Sequence, residues 1–140
     1  MIIGSIGDGV VIDHIPAGKG MELYRDLHLD KLDCEVALIK NAVSNKRGRK
    51  DILKVNANID LNYEMLGFID PQITVNIIRN GKRISKVHPT LPETLTNIIF
   101  CRNPRCITSV EQELPHVFRL TDRERGVYRC IYCETKAERR

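Results

Sequence analysis

Four of the five cysteines fall in two closely spaced pairs, Cys101-x4-Cys106 and Cys130-x2-Cys133, with 23 residues between them. Each pair has chelate spacing, and four thiolates form the tetrahedral sulfur shell that zinc favours. One structural Zn2+ per chain is therefore expected, held by Cys101, Cys106, Cys130 and Cys133. Disulfides and incidental thiols are the alternatives; both pairs follow strand-like segments, which favours the metal. Such a shell leaves no open position for water or substrate, so the ion braces the fold and does not catalyse. Any function must be sought elsewhere on the chain.

The remaining composition narrows the classes. Of 140 residues, 42% are hydrophobic and 29% charged, as in an ordinary folded chain rather than a disordered one. No apolar run is long enough for a membrane helix, and the start, Met1-Ile2-Ile3-Gly4-Ser5, has no secretory pattern. A cytoplasmic, reducing setting is expected, where paired cysteines are metal ligands more often than disulfides. Cys34 lies in an apolar strand-like run and reads as a buried structural thiol. There is no P-loop, G-x-S-x-G or metalloprotease helix, so an enzyme is not expected.

Short elements alternate through the first 90 residues. The run from Gly9 to Ile15, stopped by Pro16, predicts a strand, and Met21, Leu23, Tyr24 and Leu27 predict a helix near 18–28. Strands are expected at 34–40 and 51–57, joined by the basic loop around Lys46-Arg47-Gly48-Arg49-Lys50. Asp60 is a candidate cap for a helix at 61–68, with Met65, Leu66 and Phe68 as candidate core residues. Two β-runs flank Asn80-Gly81, the signature of a type I′ hairpin. The order β-α-β-β-α-β plus a final strand predicts an α+β, ferredoxin-like split-βαβ domain over 1–92. Its uncovered sheet face would be closed most simply by a second copy, a homodimer.

Pro89-Thr90-Leu91-Pro92 predicts a stiff joint to a small, β-rich zinc-binding domain over 93–140. There, Thr96–Phe100, His116–Leu120 and Val127–Arg129 are the expected strands. About 45 residues bury too little to be stable alone, so the metal should drive folding. Arg102, Arg105, Arg119, Arg123, Arg125 and Arg129 are interleaved with Glu111, Glu113, Asp122 and Glu124, and stacking aromatics are few. That mixture favours protein docking over nucleic acid, leaving a nucleic-acid-binding zinc ribbon as the rival reading.

In the first domain Asp13, His14, Lys50, Lys54, Asn76 and Lys86 are the polar residues of interest. Lys50 and Lys54 share one strand face about 13 Å apart, able to hold two ends of an elongated anion. A carboxylate at Asp13 suits a ribose hydroxyl. The bland alternative is a wet sheet edge guarded by lysines.

Together, Val11-Ile12-Asp13-His14-Ile15-Pro16, Gly48-Arg49-Lys50-Asp51, Thr74-Val75-Asn76, Pro89-Thr90-Leu91-Pro92-Glu93 and the cysteine pattern resemble the regulatory-chain family of aspartate carbamoyltransferase. The resemblance implies a non-catalytic regulatory subunit in pyrimidine biosynthesis, free of nucleic acid and membrane. It implies an allosteric domain binding nucleoside triphosphates (ATP, and CTP with UTP), with Mg2+ as a candidate companion ion. It also implies a zinc domain docked on the catalytic chain, and regulatory dimers. By motif, Asp13 and Lys54 would meet ribose and base, and His14, Lys50, Asn76 and Lys86 the phosphates. Backbone near Ile6 and Gly81 would read the base.

His88 stands where the family has a second basic phosphate ligand, a change that weakens effector binding and leaves a purely architectural subunit as a variant reading. The glycine-rich Gly4–Gly9 stretch is a second departure. Ideal hairpin pairing would also put Asn76 opposite Ser85 and Lys86 opposite Val75, on opposite faces unless a bulge intervenes.

Overall fold

A computed structural model describes residues 7–45 and 48–137. The chain divides into two compact units between Pro89 and Thr90. Among the described residues no helix is long and apolar enough to cross a membrane.

The first unit is mixed α and β. Its elements are β1 (Gly9–Pro16), α1 (Gly20–Asp26), β2 (Val36–Ser44), β3 (Gly48–Val55), α2 (Tyr63–Ile69), β4 (Thr74–Arg79) and β5 (Lys82–Val87). The strands form one sheet in the order β2-β3-β1-β4-β5, with every pairing antiparallel. Without β5 this is the split-βαβ order, as the element pattern predicts. Period-two alternation sends Val10, Ile12, Leu53, Val55 and Val75 to one face, where they are fully or almost fully buried with Leu23 of α1 and Leu66 of α2. The residues between them, including Val11, Lys54 and Asn76, face the other way and are only partly covered.

Local chemistry explains the boundaries. Asn80 and Gly81 both have positive φ, 52° and 75°, as a type I′ turn requires. α2 is capped by Asn62, whose Oδ1 accepts from Met65 N at 3.1 Å; the expected cap, Asp60, lies two residues too early. β2 and β3 run further than expected, to Ser44 and back to Gly48. Gly48, Arg49 and Lys50 of the basic segment are thus strand.

Bulges are the main departure from ideal pairing. In β1, Asp13 and His14 lie between Ile12, opposite Leu53, and Ile15, opposite Asp51. In β2, Lys40 and Asn41 lie between the partners of Ile52 and Lys50. The left-handed φ values of His14 (59°) and Asn41 (57°) mark these two irregularities. Between them sits the fully buried Asp51. Its carboxylate accepts from Gly18 N (3.1 Å), Gly20 N (2.9 Å) and Asn41 N (3.0 Å), tying the start of α1 to the β2 bulge.

Space at this junction is tight. A Cβ on Gly20 would lie 2.8 Å from Asp51 Oδ2, 2.9 Å from Asp51 Cβ and 2.7 Å from Leu38 Cδ1. Gly20→Ala is expected to destabilise the first unit by about 1–3 kcal/mol, the usual range for overpacking, readable as a lowered urea midpoint. An unchanged midpoint would mean that the junction relaxes freely.

The second unit carries β6 (Thr94–Thr96), β7 (Val117–Asp122) and β8 (Val127–Cys130) in one antiparallel sheet. β6 ends earlier than the expected Thr96–Phe100 strand. Asn97 turns left-handed (φ 56°); its N–H donates to His116 O at 2.7 Å, and its Oδ1 accepts from His116 N at 2.9 Å. The buried apolar set is small: Leu95, Phe118 and Tyr128, with Cys106 and Cys130. The Tyr128 hydroxyl donates to Pro92 O at 2.6 Å, so the large ring is buried with its polar tip satisfied.

Candidate functional site

All four paired cysteines converge. The Sγ atoms of Cys101, Cys106, Cys130 and Cys133 lie within 4.8 Å of one another. Cys101 and Cys133 are 3.6 Å apart, and Cys106 and Cys130 3.8 Å. A disulfide requires about 2.05 Å, whereas metal–sulfur bonds of about 2.3 Å in a tetrahedron put sulfurs about 3.8 Å apart. The cluster therefore fits a metal ion and not crosslinks.

Its surroundings are built to orient thiolates. Thr108 Oγ1 donates to Cys106 Sγ at 3.1 Å, Thr135 Oγ1 lies 3.2 Å from Cys133 Sγ, and Cys101 N donates to His116 Nδ1 at 3.0 Å. Burial pushes the Cys101 thiol up to about 12, with neighbouring sulfurs adding to the effect. Cys130 is likewise raised, chiefly by burial. At Cys133 burial acts in the same sense, but hydrogen bonds from the Thr135 side chain and backbone, with Asn103 and Cys101, outweigh it and bring the thiol to about 6. Cys133 thus offers a thiolate at neutral pH, while Cys101 and Cys130 must shed protons to ligate. Metal affinity accordingly falls as pH falls.

In the first unit, the open face of the sheet gathers most of the other candidate residues. Pairing sets Val11 opposite Lys54, Val11 opposite Asn76, and Asn76 opposite Lys86. These four residues form one row across β3, β1, β4 and β5, with the two lysine backbones about 14 Å apart by strand spacing. Ideal pairing would have split Asn76 from Lys86. One extra residue in β5, Ile84, shifts the register between Ile78–Arg83 and Ile77–Ser85 and brings them to the same face.

Neither Lys54 nor Lys86 has an acidic partner among the described residues. The Asn76 side chain presents a buried amide atom, Oδ1, with no hydrogen-bond partner. Because an amide can be turned over, this position can offer either an acceptor or the Nδ2 donor. A buried polar atom without a partner costs about 1–3 kcal/mol, a cost that a polar ligand would remove.

One pleat repeat further along β1, Asp13 and His14 occupy the bulge. Lys50 Nζ lies 3.0 Å from Asp13 Oδ1 and 3.3 Å from Oδ2, with the two side chains only 16% and 21% exposed. His14 N donates to Asp13 Oδ1 at 2.6 Å, and His14 Nδ1 is 3.0 Å from Thr74 Oγ1. Lys50 therefore meets Asp13 directly, and the Asp13 carboxylate has two neighbours that fix its direction. Gly81 lies at the hairpin turn, its N–H donating to Gly7 O at 2.8 Å. His88 follows the end of β5 and is exposed, and Ile6 lies outside the described residues. Asp51, which no sequence argument singled out beyond its place in Gly48-Arg49-Lys50-Asp51, positions the backbone beside this site.

Comparison with known proteins adds an independent finding. Residues 1–90 match the family described as "Aspartate carbamoyltransferase regulatory chain, allosteric domain", and residues 93–140 match "Aspartate carbamoyltransferase regulatory chain, metal binding domain". The aspartate carbamoyltransferase regulatory chain of Clostridium botulinum (strain Hall) is 48% identical over 134 residues, covering 96% of this chain and 92% of the relative. That of Clostridium acetobutylicum is 49% identical over the same length with the same coverage. The regulatory chain of Bifidobacterium longum is 41% identical over 138 residues, 99% of both chains. Matched in both its allosteric and its metal-binding domain, and along 96% of its length by relatives 48–49% identical, the chain belongs to the aspartate carbamoyltransferase regulatory chain family.

Proposed function

We propose that this regulatory chain binds nucleoside triphosphates on the open face of its N-terminal sheet and passes their effect to an aspartate carbamoyltransferase catalytic chain. In this reading ATP, and CTP with UTP, are the effectors, with Mg2+ as companion, and the control is exerted on pyrimidine biosynthesis in the cytoplasm. The observation that carries it is the row Lys54–Val11–Asn76–Lys86: at its ends two cations without acidic partners among the described residues, and between them a buried amide atom with no partner among those residues. An elongated anion satisfies all three at once. Asp13, held by Lys50, would take a ribose hydroxyl; His14 and the lysines would take phosphate; Gly81 and Ile6 would border the base.

The ion in the C-terminal unit is proposed to be zinc, since a shell of four thiolates with no carboxylate or water position suits a soft tetrahedral cation. Around it, Phe100, Ile107, Val110 and Ile131 are 48–77% exposed, an apolar set fitted to cover by the catalytic chain. A dimer of regulatory chains would let one effector bias two partners. Coupling of this kind is typically about 1–3 kcal/mol, and it requires unequal effector affinity for the two quaternary states.

Lys54→Ala and Lys86→Ala test the binding step. Each removes one charge-assisted contact, so calorimetry on the assembled complex should show about tenfold weaker nucleoside triphosphate binding with assembly intact. Unchanged affinity in both variants would refute the site.

A further inference from the structure

We propose that Arg83 is a specificity-determining contact at the base end of the nucleotide face and extends the effectors of this chain to guanine nucleotides. The inference rests on the nucleotide-binding reading above and adds to it one residue and one ligand class.

The register of the hairpin places the residue. In an unbroken β4–β5 ladder, Arg83 and Lys86, three residues apart in sequence, would point to opposite faces. The extra residue at Ile84 reverses that parity, so that Arg83 pairs with Ile78 and Lys86 with Asn76, two positions along the same face of β4. Arg83 therefore stands on the open face, with its backbone about 7 Å from that of Lys86 along the strand axis. Direction along the strands assigns its role. Arg83 lies toward the turn, two residues from Gly81, in line with Ile78 and Gly9. His14, Lys86 and His88, the side chains expected at phosphate, lie toward the opposite end.

The surroundings of Arg83 suit a base better than a phosphate. Ile78 is apolar and half-buried, and Gly9, opposite it on β1, adds no side chain. A floor of this kind takes the face of a planar ring and leaves the ring edge for a polar contact. Asp8, at the same end, accepts from Asn80 N at 2.9 Å, and a carboxylate there opposes a second anion. Arg83 itself is exposed and has no acidic partner among the described residues, so its guanidinium is available.

The guanidinium then selects by what it can accept, which is nothing: all its polar hydrogens donate. Guanine presents N7 and O6 as adjacent acceptors that match the arginine fork. Adenine sets an amino donor beside N7, and cytosine presents an amino donor at its corresponding edge. Guanine is thus the base that Arg83 engages bidentately, while the phosphate contacts serve every nucleoside triphosphate alike.

The experiment is calorimetric titration of the full zinc-loaded chain in its complex with the catalytic chain, using GTP, 7-deaza-GTP, ATP and inorganic tripolyphosphate. Wild type, Arg83→Met and Arg83→Lys are compared. Arg83→Met is expected to weaken GTP about tenfold while changing ATP and tripolyphosphate less than twofold. Arg83→Lys, which has no fork, should recover only part of the loss. In wild type 7-deaza-GTP, which lacks the N7 acceptor, should bind several-fold more weakly than GTP, and in Arg83→Met the two should bind equally. Equal weakening of GTP and ATP, a loss of tripolyphosphate binding, or no change in any ligand would overturn the Arg83 role alone. So would a wild-type complex that binds ATP and not GTP. A wild-type complex that binds none of the four overturns the nucleotide reading itself, and the Arg83 role with it.

Discussion

Removing the metal, or replacing Cys130 or Cys106 with serine, is expected to unfold the C-terminal unit while the N-terminal sheet persists. Among the described residues the unit's buried apolar side chains reduce to Leu95, Phe118 and Tyr128 around two ligand cysteines. A core of that size cannot offset the conformational entropy of ordering some 45 residues, about 1–2 kcal/mol each for the backbone alone. In small metal-binding domains structural zinc contributes apparent binding free energies of about 10–16 kcal/mol, and a metal held by these four cysteines would supply folding free energy in the same way. Cys106 and Cys130 are each 1% exposed, so a serine there also leaves a buried hydroxyl facing three thiols. Hydrogen exchange resolved by segment checks this. Amides of β6, β7 and β8 should lose protection on chelation or mercurial treatment, and those of β1, β3 and β4 should keep theirs. Retained protection in β7 and β8 without metal would mean the sulfur cluster is not what holds the unit together.

The second large effect is expected at Asp51→Ala. The substitution strands three backbone N–H groups, those of Gly18, Gly20 and Asn41, inside a junction where Asp51 is fully buried. Each donor left without an acceptor costs about 1–3 kcal/mol. A loss of about 3 kcal/mol or more, a fall of roughly 12–24 °C in the melting temperature of a unit this size, is therefore expected. Asp51→Asn should lose less, because the amide oxygen can take the position that accepts from Gly18 N and Gly20 N, leaving Nδ2 against the Asn41 N–H alone.

Function should suffer beyond stability, since residue 51 is the partner of Ile15 just past the bulge that aims Asp13 and His14. Nucleotide affinity is expected to fall in Asp51→Asn even at temperatures where the variant is folded. A melting temperature within 3 °C of wild type in Asp51→Ala would show that water or another group replaces the carboxylate.

These two residue sets differ in how they can be read from sequence. The metal site is legible because its chemistry is local: chelate spacing is a property of Cys101-x4-Cys106 and Cys130-x2-Cys133, whatever the rest of the chain does. The β4–β5 hairpin is legible for the same reason, through Asn80-Gly81. The strand order follows from the element pattern, and the alternation of Val10, Ile12, Leu53 and Val55 identifies the core face.

The bulges are not legible in this way. Whether Ile84 is an extra residue depends on which register satisfies β4 and β5 together, and nothing in the five residues around it announces the choice. The β1 and β2 irregularities answer to Asp51, 37 and 10 residues away from His14 and Asn41 respectively. Its three acceptor bonds are visible only once the strands are paired. The same holds for β6, cut short because Asn97 finds His116 across the unit. What the bulges decide is which cations stand on the open face of the sheet, so the details of the candidate site are the least readable part of the chain.

Substrate saturation of the assembled complex, measured with and without ATP or CTP, tests the regulatory account most directly. A chain that binds nucleotide on its N-terminal sheet and transmits a coupling of about 1–3 kcal/mol must displace the half-saturating substrate concentration, by about 5-fold or more. Saturation curves that superimpose in the presence and absence of saturating nucleotide would contradict it.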